Sequence, residues 1–499
     1  MAKYKSNKQI ILMLFVLGIG MRCLFLGSLP YGLNQDEAFA AYEAWSLLNF
    51  GVDSAGYSYP VYLTAWGSGM NALETYLMMP FVALFGTEVW VIRLPQAILA
   101  CLSLFAIWSM TRDTLGERCA VWVLGLLVIC PWHIMLSRWA LESNLTPAFL
   151  LFGMYFLLKA VKNSRYMLLS ALMYGLSLYC YATIWPIVPI LILIELLCML
   201  RCGCKADKYW LIAALILFAL ALPLLLFLAV NWGLIEELKL GVFSVPKLLY
   251  MRANEINTAN MAENFRNILT LLISQTDNLY HNKAGNVGLL YYISLPFVIL
   301  GIIKSRDEKG SLLESFMLTQ LSLALILACL INVNVNRINI IFIPMLFFAA
   351  RGICRLKARI TKPIALLYAV CFAMFLNFYC TDYAKTIPYY FFGGLETAIE
   401  AVADEDKTVY LPENVYHSQV MFFDKTEHEE YVKTVKYKYY PAAYLKATEF
   451  AKYIFGYDTE NIDPNAAYII APGEDTTKFE QVGFEIEHHG IYRLAVKEK

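Results

Sequence analysis

The sequence has 499 residues, of which 59% are apolar and 16% are charged, and its mean hydropathy is +0.54. Soluble domains average about 45–50% apolar and about 25% charged residues, so a single water-soluble core is excluded and several membrane spans are expected. Forty basic and forty acidic side chains give a net charge of zero, which provides no electrostatic basis for binding nucleic acid.

Apolar runs long enough to cross a bilayer recur up to residue 380. The first run follows Lys3, Lys5 and Lys8 and lacks a small-residue cleavage signature, so we interpret it as an uncleaved span rather than a signal peptide. Hydropathy predicts about eleven spans, at 10–28, 94–111, 119–136, 145–161, 166–185, 187–201, 209–230, 289–304, 312–331, 338–356 and 363–380.

The basic residues indicate on which side of the membrane each loop lies, and hence whether the number of spans is odd or even. Besides the N-terminus, they cluster in the loops 112–118, 159–165, 201–208, 304–309 and 351–362. With eleven spans every cluster lies on the cytoplasmic side, as positive-inside bias requires. The apolar stretch Met70–Phe85 contains Asn71 and Glu74, and letting it cross would put all later clusters outside. We therefore predict an interfacial or re-entrant helix there, within a first external loop of about 30–93.

This topology also places a second loop, about 231–288, and the tail on the external side. Segment 394–404 of the tail is predicted to be a helix, and strands are predicted at 408–411, 468–471, 484–486 and 491–495. The chain is thus predicted to be an α-helical polytopic membrane protein, residues 1–380, followed by a soluble α/β domain, residues 381–499. His488 and His489 precede Gly490 and are interpreted as part of a turn rather than as metal ligands.

Asp36 and Glu37 open a run, Asp36–Phe50, that is predicted to be an amphipathic helix just outside the first span. Acidic residues in a first helical turn interact favourably with the positive end of the helix, and spacing alone favours this capping role. A pair of carboxylates at the membrane surface is also a candidate for general-base chemistry.

Three arginines lie at the external ends of spans: Arg93, Arg138 and Arg337. Each alone is commonly an anchor that reaches into lipid headgroups. Together with Asp36, Glu37 and Glu142, however, they could hold an anionic lipid headgroup, because a guanidinium binds two phosphate oxygens at once. Tyr59 and Tyr62 in the first loop are assigned to substrate contact, although interfacial belting explains most aromatic residues at such positions.

Several short motifs, in this order, resemble the membrane glycosyltransferases of the GT-C class. They are Asn34-Gln35-Asp36-Glu37, Arg93-Leu94-Pro95, the stretch Phe265–Gly301 with Asp277 and His281, and the late span Arg337–Pro344 with Gly352. The sequence is most similar to the bacterial branch related to protein O-mannosyltransferases and to the enzyme that adds aminoarabinose to lipid A. The resemblance covers about 380 residues.

The resemblance implies an inverting transfer of a sugar from a polyprenyl-phosphate donor to an acceptor hydroxyl, on the external face of the cell membrane. It makes Asp36 the catalytic base and gives Glu37 a supporting role. Some relatives carry a basic residue shortly after the acidic pair, but Ala38–Ala41 offers none, so donor-phosphate binding is assigned to Arg93, Arg138 or Arg337. Glu142, Asp277 and His281 are assigned to substrate binding.

The acceptor is left open between a protein, a lipid and an envelope glycan. No cofactor is assigned and no metal site is predicted. A divalent metal is left open because it assists some relatives, and no ligand set stands out beyond Asp36, Glu37 and His281.

Two other functions are compatible with a polytopic chain. A transporter or flippase of lipid-linked sugars would need ionisable residues near mid-membrane and an inverted repeat, yet Arg22 and Glu195 are among the few charges inside predicted spans. A nonenzymatic scaffold that presents the tail would not need acids and arginines at external span ends.

Overall fold

The protein is described by a computed structural model that covers residues 2–251, 258–306 and 311–497. The chain forms two compact units, each assembled from three separate segments. The first unit consists of Met1–Leu24, Pro95–Pro223 and Ala253–Tyr383. The second consists of Phe25–Leu94, Leu224–Arg252 and Ala384–Lys499.

Helices account for most of the chain up to residue 383. They are α1 (Ala2–Cys23), α2 (Gln35–Phe50), α3 (Leu73–Phe85), α4 (Val89–Leu115), α5 (Glu117–Ile129), α6 (Pro131–Leu136), α7 (Thr146–Ala160), α8 (Tyr166–Ser177), α9 (Ile187–Arg201), α10 (Lys208–Asn231), α11 (Met261–Ser274), α12 (Ser294–Arg306), α13 (Leu312–Leu330), α14 (Phe342–Cys354) and α15 (Ala358–Phe378). Each predicted span overlaps one of these helices. Among the described residues, four helical segments are long and apolar enough to cross a bilayer: Val89–Leu115, Lys208–Asn231, Leu312–Leu330 and Ala358–Thr386. The number of eleven spans stays a prediction.

The tail carries the predicted mixture of helices and strands. Its helices are α16 (Ala384–Thr386), α17 (Pro388–Phe391), α18 (Leu395–Glu400), α19 (His417–Asp424), α20 (His428–Thr434) and α21 (Thr477–Gln481). Two short hairpins precede it, formed by β1 (Tyr62–Leu63) with β2 (Met70–Asn71) and by β3 (Leu238–Lys239) with β4 (Ser244–Val245). Its own strands are β5 (Val409–Leu411), β6 (Lys436–Tyr437), β7 (Ala447–Phe450), β8 (Tyr453–Phe455), β9 (Ala467–Ile470), β10 (Glu485–His489) and β11 (Tyr492–Val496).

These seven strands form one mixed sheet in the order β10-β11-β9-β5-β8-β7-β6. Strand β5 is parallel to β8 and β9, and the remaining pairs are antiparallel. Strands β10 and β11 form the predicted hairpin around Gly490, where a positive φ of 57° suits a glycine. The predicted segments 394–404, 408–411, 468–471, 484–486 and 491–495 are confirmed as α18, β5, β9, β10 and β11 to within a few residues. His488 and His489 end β10 rather than forming the turn itself.

The tail belongs to the same compact unit as the first predicted external loop and the start of the second, whereas the rest of the second loop, from Ala253 on, belongs to the first unit. The units therefore divide the chain differently from the predicted boundary at 380/381. The physical reason lies in burial: α2 and α3 carry many apolar residues that a loop between spans could not bury by itself.

The helix predicted for Asp36–Phe50 is present as α2, but its predicted amphipathic character is wrong. Side chains are buried on successive positions from Glu37 to Ala44, hence around the whole circumference of the helix. Helix α2 packs against α3 on one side and against α19 on another. The stretch Met70–Phe85 is largely helical, as α3, and its relation to a membrane surface stays a prediction.

Candidate active site

The N-terminus of α2 is closed by a capping box. The Asn34 side chain accepts a hydrogen bond from the backbone N–H of Asp36 at 3.0 Å, and the backbone N–H of Asn34 donates to Glu37 Oε2 at 3.1 Å. Such reciprocal bonds satisfy N–H groups that the first helical turn leaves without intrahelical acceptors. The capping role considered for the acidic pair is therefore correct for Glu37.

Glu37 also forms a buried ion pair with Arg93, and both side chains are 0% exposed. Arg93 Nε donates to Glu37 Oε1 at 2.9 Å, and Nη2 donates to Oε2 at 3.0 Å. This is the bidentate geometry in which a guanidinium matches a carboxylate best.

The remaining N–H groups of Arg93 bind the loop that precedes α2. Nη1 donates to the carbonyls of Leu26 at 3.1 Å and Pro30 at 2.7 Å, and Nη2 also donates to the carbonyl of Gly32 at 2.7 Å. All five N–H donors of the guanidinium are thus used. This geometry does not favour the phosphate-binding role assigned to Arg93, because no donor is left for a phosphate oxygen. Arg93 instead holds the loop from Leu26 to Glu37 in place.

Gly32 fixes the same loop by close approach. Its φ is +94°, and a Cβ atom built there would lie 2.1 Å from the carbonyl oxygen of Phe391. A larger residue would therefore meet both backbone strain and a steric clash. The Phe391 ring also lies against the Arg93 guanidinium, with 5.9 Å between Cζ and the ring centroid.

Asp36 lies in the first turn of α2 and, unlike Glu37, keeps partial solvent exposure. Its neighbours in sequence are anchored by α19. Ser418 Oγ donates to the carbonyl of Gln35 at 3.2 Å, and Gln419 Nε2 donates to the carbonyl of Leu33 at 2.8 Å. The backbone that precedes Asp36 is thus held in place, which suits a group whose carboxylate has to be placed accurately.

In the first unit, Arg138 follows α6 and is almost completely buried. Its Nη1 donates to the carbonyl of Met21 at 2.8 Å and its Nη2 donates to the carbonyl of Leu24 at 2.8 Å. Both carbonyls lie at the end of α1, where helical C=O groups lack intrahelical donors. Arg138 therefore caps α1 and is held in a fixed orientation.

The first unit also contains a polar cluster around Asp277. Its Oδ2 accepts hydrogen bonds from the backbone N–H of Val335 at 2.9 Å and from Asn282 Nδ2 at 2.8 Å, while Oδ1 accepts from Leu279 N at 3.0 Å. Asn282 Nδ2 in turn donates to Asn336 Oδ1 at 2.7 Å. Asp277 thus connects the segment before α12 to the segment before α14, which is a structural role.

His281 lies beside this cluster with its ring against Trp139, at a centroid distance of 5.1 Å. Burial lowers the pKa of His281 below its usual value, while Asp277 opposes that shift. A largely neutral imidazole is the result.

Of the other assigned residues, all but Tyr62 occupy more open positions. Arg337 is partly exposed, its Nη1 lies 3.3 Å from the carbonyl of Asn332, and Glu142 is partly exposed at the start of a short 3-10 helix. In the second unit Tyr59 is exposed, whereas Tyr62 is buried with its ring stacked on Phe227 at 4.4 Å. Packing of Tyr62 against Phe227 leaves little of its ring for substrate, and its substrate role stays a prediction.

Sequence reasoning missed a pair of buried acids in the second unit, Glu43 and Asp53. Glu43 accepts hydrogen bonds from the backbone N–H and the hydroxyl of Ser54, and Asp53 Oδ1 accepts from Tyr57 N at 2.8 Å and Ala55 N at 3.0 Å. Burial raises the pKa of Asp53 to about 7, and burial together with Asp53 raises the pKa of Glu43 well above its usual value. The sequence signal that could have identified Glu43 is the presence of a carboxylate within the apolar run of α2.

Groups of three or more His, Cys, Asp or Glu side chains that could hold a metal ion are absent from the described part of the chain. Glu37 does not fit as a metal ligand, because both of its oxygens accept hydrogen bonds from Arg93. A divalent metal bound here would therefore have to be coordinated by Asp36 together with ligands from outside the acidic pair.

The resemblance to GT-C class membrane glycosyltransferases is confirmed by comparison with known proteins. A family model described as dolichyl-phosphate-mannose-protein mannosyltransferase matches residues 72–227. No curated protein matches the sequence.

Solved structures share the fold. The structure of ArnT from Cupriavidus metallidurans bound to undecaprenyl phosphate matches with a TM-score of 0.58 at 12% identity, over 99% of this chain and 98% of that chain. An oligosaccharyltransferase from Archaeoglobus fulgidus, tethered to an acceptor peptide with the NVT sequon, matches with a TM-score of 0.53 at 14% identity, over 85% of this chain and 63% of that one. The same archaeal enzyme in complex with Zn and sulfate matches with a TM-score of 0.50 at 14% identity, over 84% and 61%.

These likenesses show the fold class at the level of several apolar helices followed by a C-terminal β-sheet region, as in ArnT. Among these solved proteins, ArnT was crystallised with undecaprenyl phosphate, and the archaeal protein is an oligosaccharyltransferase.

Proposed function

We propose that this chain is an inverting glycosyltransferase that moves a sugar from a polyprenyl phosphate to an acceptor hydroxyl, with Asp36 as the general base. The observation that supports the proposal is the difference in contacts and solvent exposure between the two residues of the acidic pair. Glu37 is committed to the helix cap and to Arg93, while Asp36 keeps solvent access at the same helix terminus. The similarity to ArnT, which was solved with undecaprenyl phosphate, supports the class of donor.

In the proposed reaction the acceptor oxygen attacks the anomeric carbon from the side opposite the phosphate. The new bond joins that oxygen to the anomeric carbon, and the bond between the anomeric carbon and the phosphate oxygen breaks. The electron pair leaves with the polyprenyl phosphate, and the acceptor proton moves to Asp36. Because the transition state resembles an oxocarbenium ion, proton removal by a carboxylate assists the attack late.

Asp36 suits this role because of where it lies. The N-terminus of α2 carries a partial positive charge, which favours the ionised carboxylate that can accept a proton. The anchors from Ser418 and Gln419 to the preceding backbone limit its displacement. General-base catalysis of this kind contributes about 10²- to 10⁴-fold in rate.

Arg138 and Arg337 remain the proposed ligands of the donor phosphate, in place of Arg93. The two backbone carbonyls that bind Arg138 fix the orientation of its guanidinium, and Arg337 keeps partial solvent exposure. A preoriented guanidinium stabilises the negative charge that builds up on a departing phosphate. Removing one such donor costs about 10²- to 10³-fold in kcat in well-studied sites.

The proposed setting is the external face of the cell membrane, with the tail on the same side. The loop charges described above support this orientation through positive-inside bias. The archaeal enzyme of similar fold was crystallised with Zn and sulfate, and a divalent metal would be compatible with the proposed reaction. No step of that reaction depends on a metal.

The proposal is tested by reconstituting the purified protein in liposomes with a radiolabelled polyprenyl-phosphate sugar and a crude envelope fraction as acceptor. Transfer of label to the acceptor and release of polyprenyl phosphate in equal amounts is the expected result. Movement of the intact labelled lipid between leaflets without release of polyprenyl phosphate would instead identify a flippase. Neither transfer nor movement, in protein whose fold is intact by circular dichroism, would favour a scaffold.

A further inference from the structure

The second unit contains a pocket of about 720 Å³ that the catalytic proposal does not use. Its walls come from α2 and the segment that follows it, from the segment 247–249 and from the tail. Its lining residues include Phe39, Trp66, Lys247, His417, Tyr437 and Tyr440. Its volume lies in the range typical of small-molecule sites, about 300–1,000 Å³.

His417 gives this pocket a polar group that the fold itself does not use. Its side chain is only 7% exposed and its ring packs against Trp66 at 5.1 Å and Tyr431 at 5.7 Å. Within the described part of the chain neither ring nitrogen forms a hydrogen bond, although the residue lines the pocket. Burial lowers its pKa to about 4, so the ring is neutral at pH 7 and presents one N–H donor and one acceptor.

The pocket also exposes aromatic surface at its rim. Tyr440 lines the pocket and is 65% exposed, and its ring stacks on Tyr437 at 5.9 Å. The Lys247 side chain lies at the same rim and is exposed. A large exposed aromatic ring beside unused hydrogen-bonding groups is unusual for a surface that serves only folding.

The pocket lies close to Asp36 along the structure. Phe39 is three residues after Asp36 on α2, so the two side chains project from the same face of the helix. His417 begins α19, and the next residue, Ser418, binds the carbonyl of Gln35. The pocket therefore begins about one helical turn from the proposed base.

We propose that this pocket, which we name the Tyr440 pocket, binds a saccharide unit of the acceptor. A pyranose ring has an apolar C–H face that stacks on an aromatic ring, and hydroxyl groups at its edge that need donors and acceptors. Tyr440 with Tyr437 offers the face, and His417 and Lys247 offer the polar contacts. A hydrocarbon chain would leave the nitrogens of His417 without partners, which is costly for groups that are mostly buried.

This inference rests on the proposed function for its meaning, since it selects a glycan or glycolipid as the acceptor. The binding itself is testable separately from the transfer. The protein is prepared in lipid nanodiscs, because maltoside detergents carry a sugar headgroup that would compete. Binding of N,N′-diacetylchitobiose is measured by saturation-transfer NMR, with the peptide acetyl-(Gly-Ser)₃-amide as the alternative ligand.

Two variants and a matched control decide the outcome. Tyr440→Ala and His417→Phe, the latter keeping the ring packing, should each weaken disaccharide binding by about 3- to 10-fold. Tyr439→Ala should leave binding unchanged, because Tyr439 is 72% exposed in the same loop but does not line the pocket. Asp36→Asn should bind the disaccharide as the unmodified protein does.

Binding of the peptide but not the disaccharide would overturn the proposal in favour of a protein acceptor. So would disaccharide binding that is absent at tens of millimolar, or binding by Tyr440→Ala and His417→Phe that equals binding by the Tyr439→Ala control. If Asp36→Asn retains full transfer while the pocket variants lose disaccharide binding, the proposed base is wrong and the Tyr440 pocket stands.

Discussion

Replacing Arg93 with Met tests whether this residue holds the active-site loop or binds the donor phosphate. The substitution keeps an apolar chain of similar length and removes five hydrogen-bond donors at once. It leaves Glu37 buried, with a carboxylate that has lost its cation, and leaves three backbone carbonyls without a donor.

The expected destabilisation follows from that geometry. Breaking one side of a fully buried ion pair costs about 3–5 kcal/mol, because the remaining charge stays out of water. A loss of 1 kcal/mol lowers Tm by about 2–4 °C in a domain of 150–250 residues, so the expected decrease is about 6–20 °C. The double variant Glu37→Met/Arg93→Met should be destabilised less than Arg93→Met alone, since no charge is left buried.

The assay is intrinsic fluorescence during heating, combined with hydrogen exchange of the peptides that cover residues 25–37. Tryptophan fluorescence is used in place of a thiol-reactive dye, because the second unit contains no cysteine that such a dye could label. Arg112→Met is the control: Arg112 pairs with Asp113 on an exposed surface, where a salt bridge contributes about 0–1 kcal/mol. If Arg93→Met leaves Tm and exchange unchanged and only raises KM for the polyprenyl-phosphate donor, the loop-holding role is wrong and phosphate binding is restored.

Three further predictions concern Asp53 and Gly32 in the second unit and Asp277 in the first. Asp53→Asn should raise Tm at pH 8 and change it little at pH 4. In the folded protein the pKa of Asp53 is raised to about 7, above its unfolded value of about 4. The stability that the protonated carboxyl contributes is therefore complete below about pH 4 and is lost as the pH rises through about 7. A Tm gain equal at both pH values would contradict this. Gly32→Ala should lower Tm and transfer together, because its Cβ would meet the Phe391 carbonyl, whereas Gly56→Ala, with a similar φ of +82° and open space, should cost only about 1 kcal/mol. Asp277→Asn should cost about 1–3 kcal/mol, because an amide nitrogen cannot accept the hydrogen bonds described above, and unaltered hydrogen exchange of segment 332–337 would argue against this connection.

Much of the fold was predictable because membrane helices carry strong sequence signals. Long apolar runs identify them, and each predicted span overlaps at least one helix. The tail strands were found from short β-branched and aromatic segments, such as 408–411 and 491–495. What the sequence could not reveal is that the tail, the first loop and the start of the second loop form one compact unit, because such grouping depends on contacts between residues far apart in the chain.

The site was predictable only in part, for a similar reason. The sequence alone suggested two roles for the acidic pair, a helix cap and a catalytic base, and the structure assigns the helix cap to Glu37. The pairing of Glu37 with Arg93 spans 56 residues, and nothing in the local sequence distinguishes an arginine that binds carbonyls from one that binds phosphate. His417 was missed because a single histidine in a tail helix has no sequence signal that separates a pocket wall from a core position.

The most direct test of the central claim is the kcat of Asp36→Asn, with Asp36→Glu beside it, in liposomes that contain the polyprenyl-phosphate sugar and the acceptor. Asparagine preserves the shape and the cap at Asn34 but cannot accept the acceptor proton. The proposed mechanism predicts a loss of about 10²- to 10⁴-fold in kcat at unchanged Tm, with partial recovery in Asp36→Glu. A kcat for Asp36→Asn within about twofold of the unmodified protein, well below the loss that removal of a general base causes, would contradict the assignment.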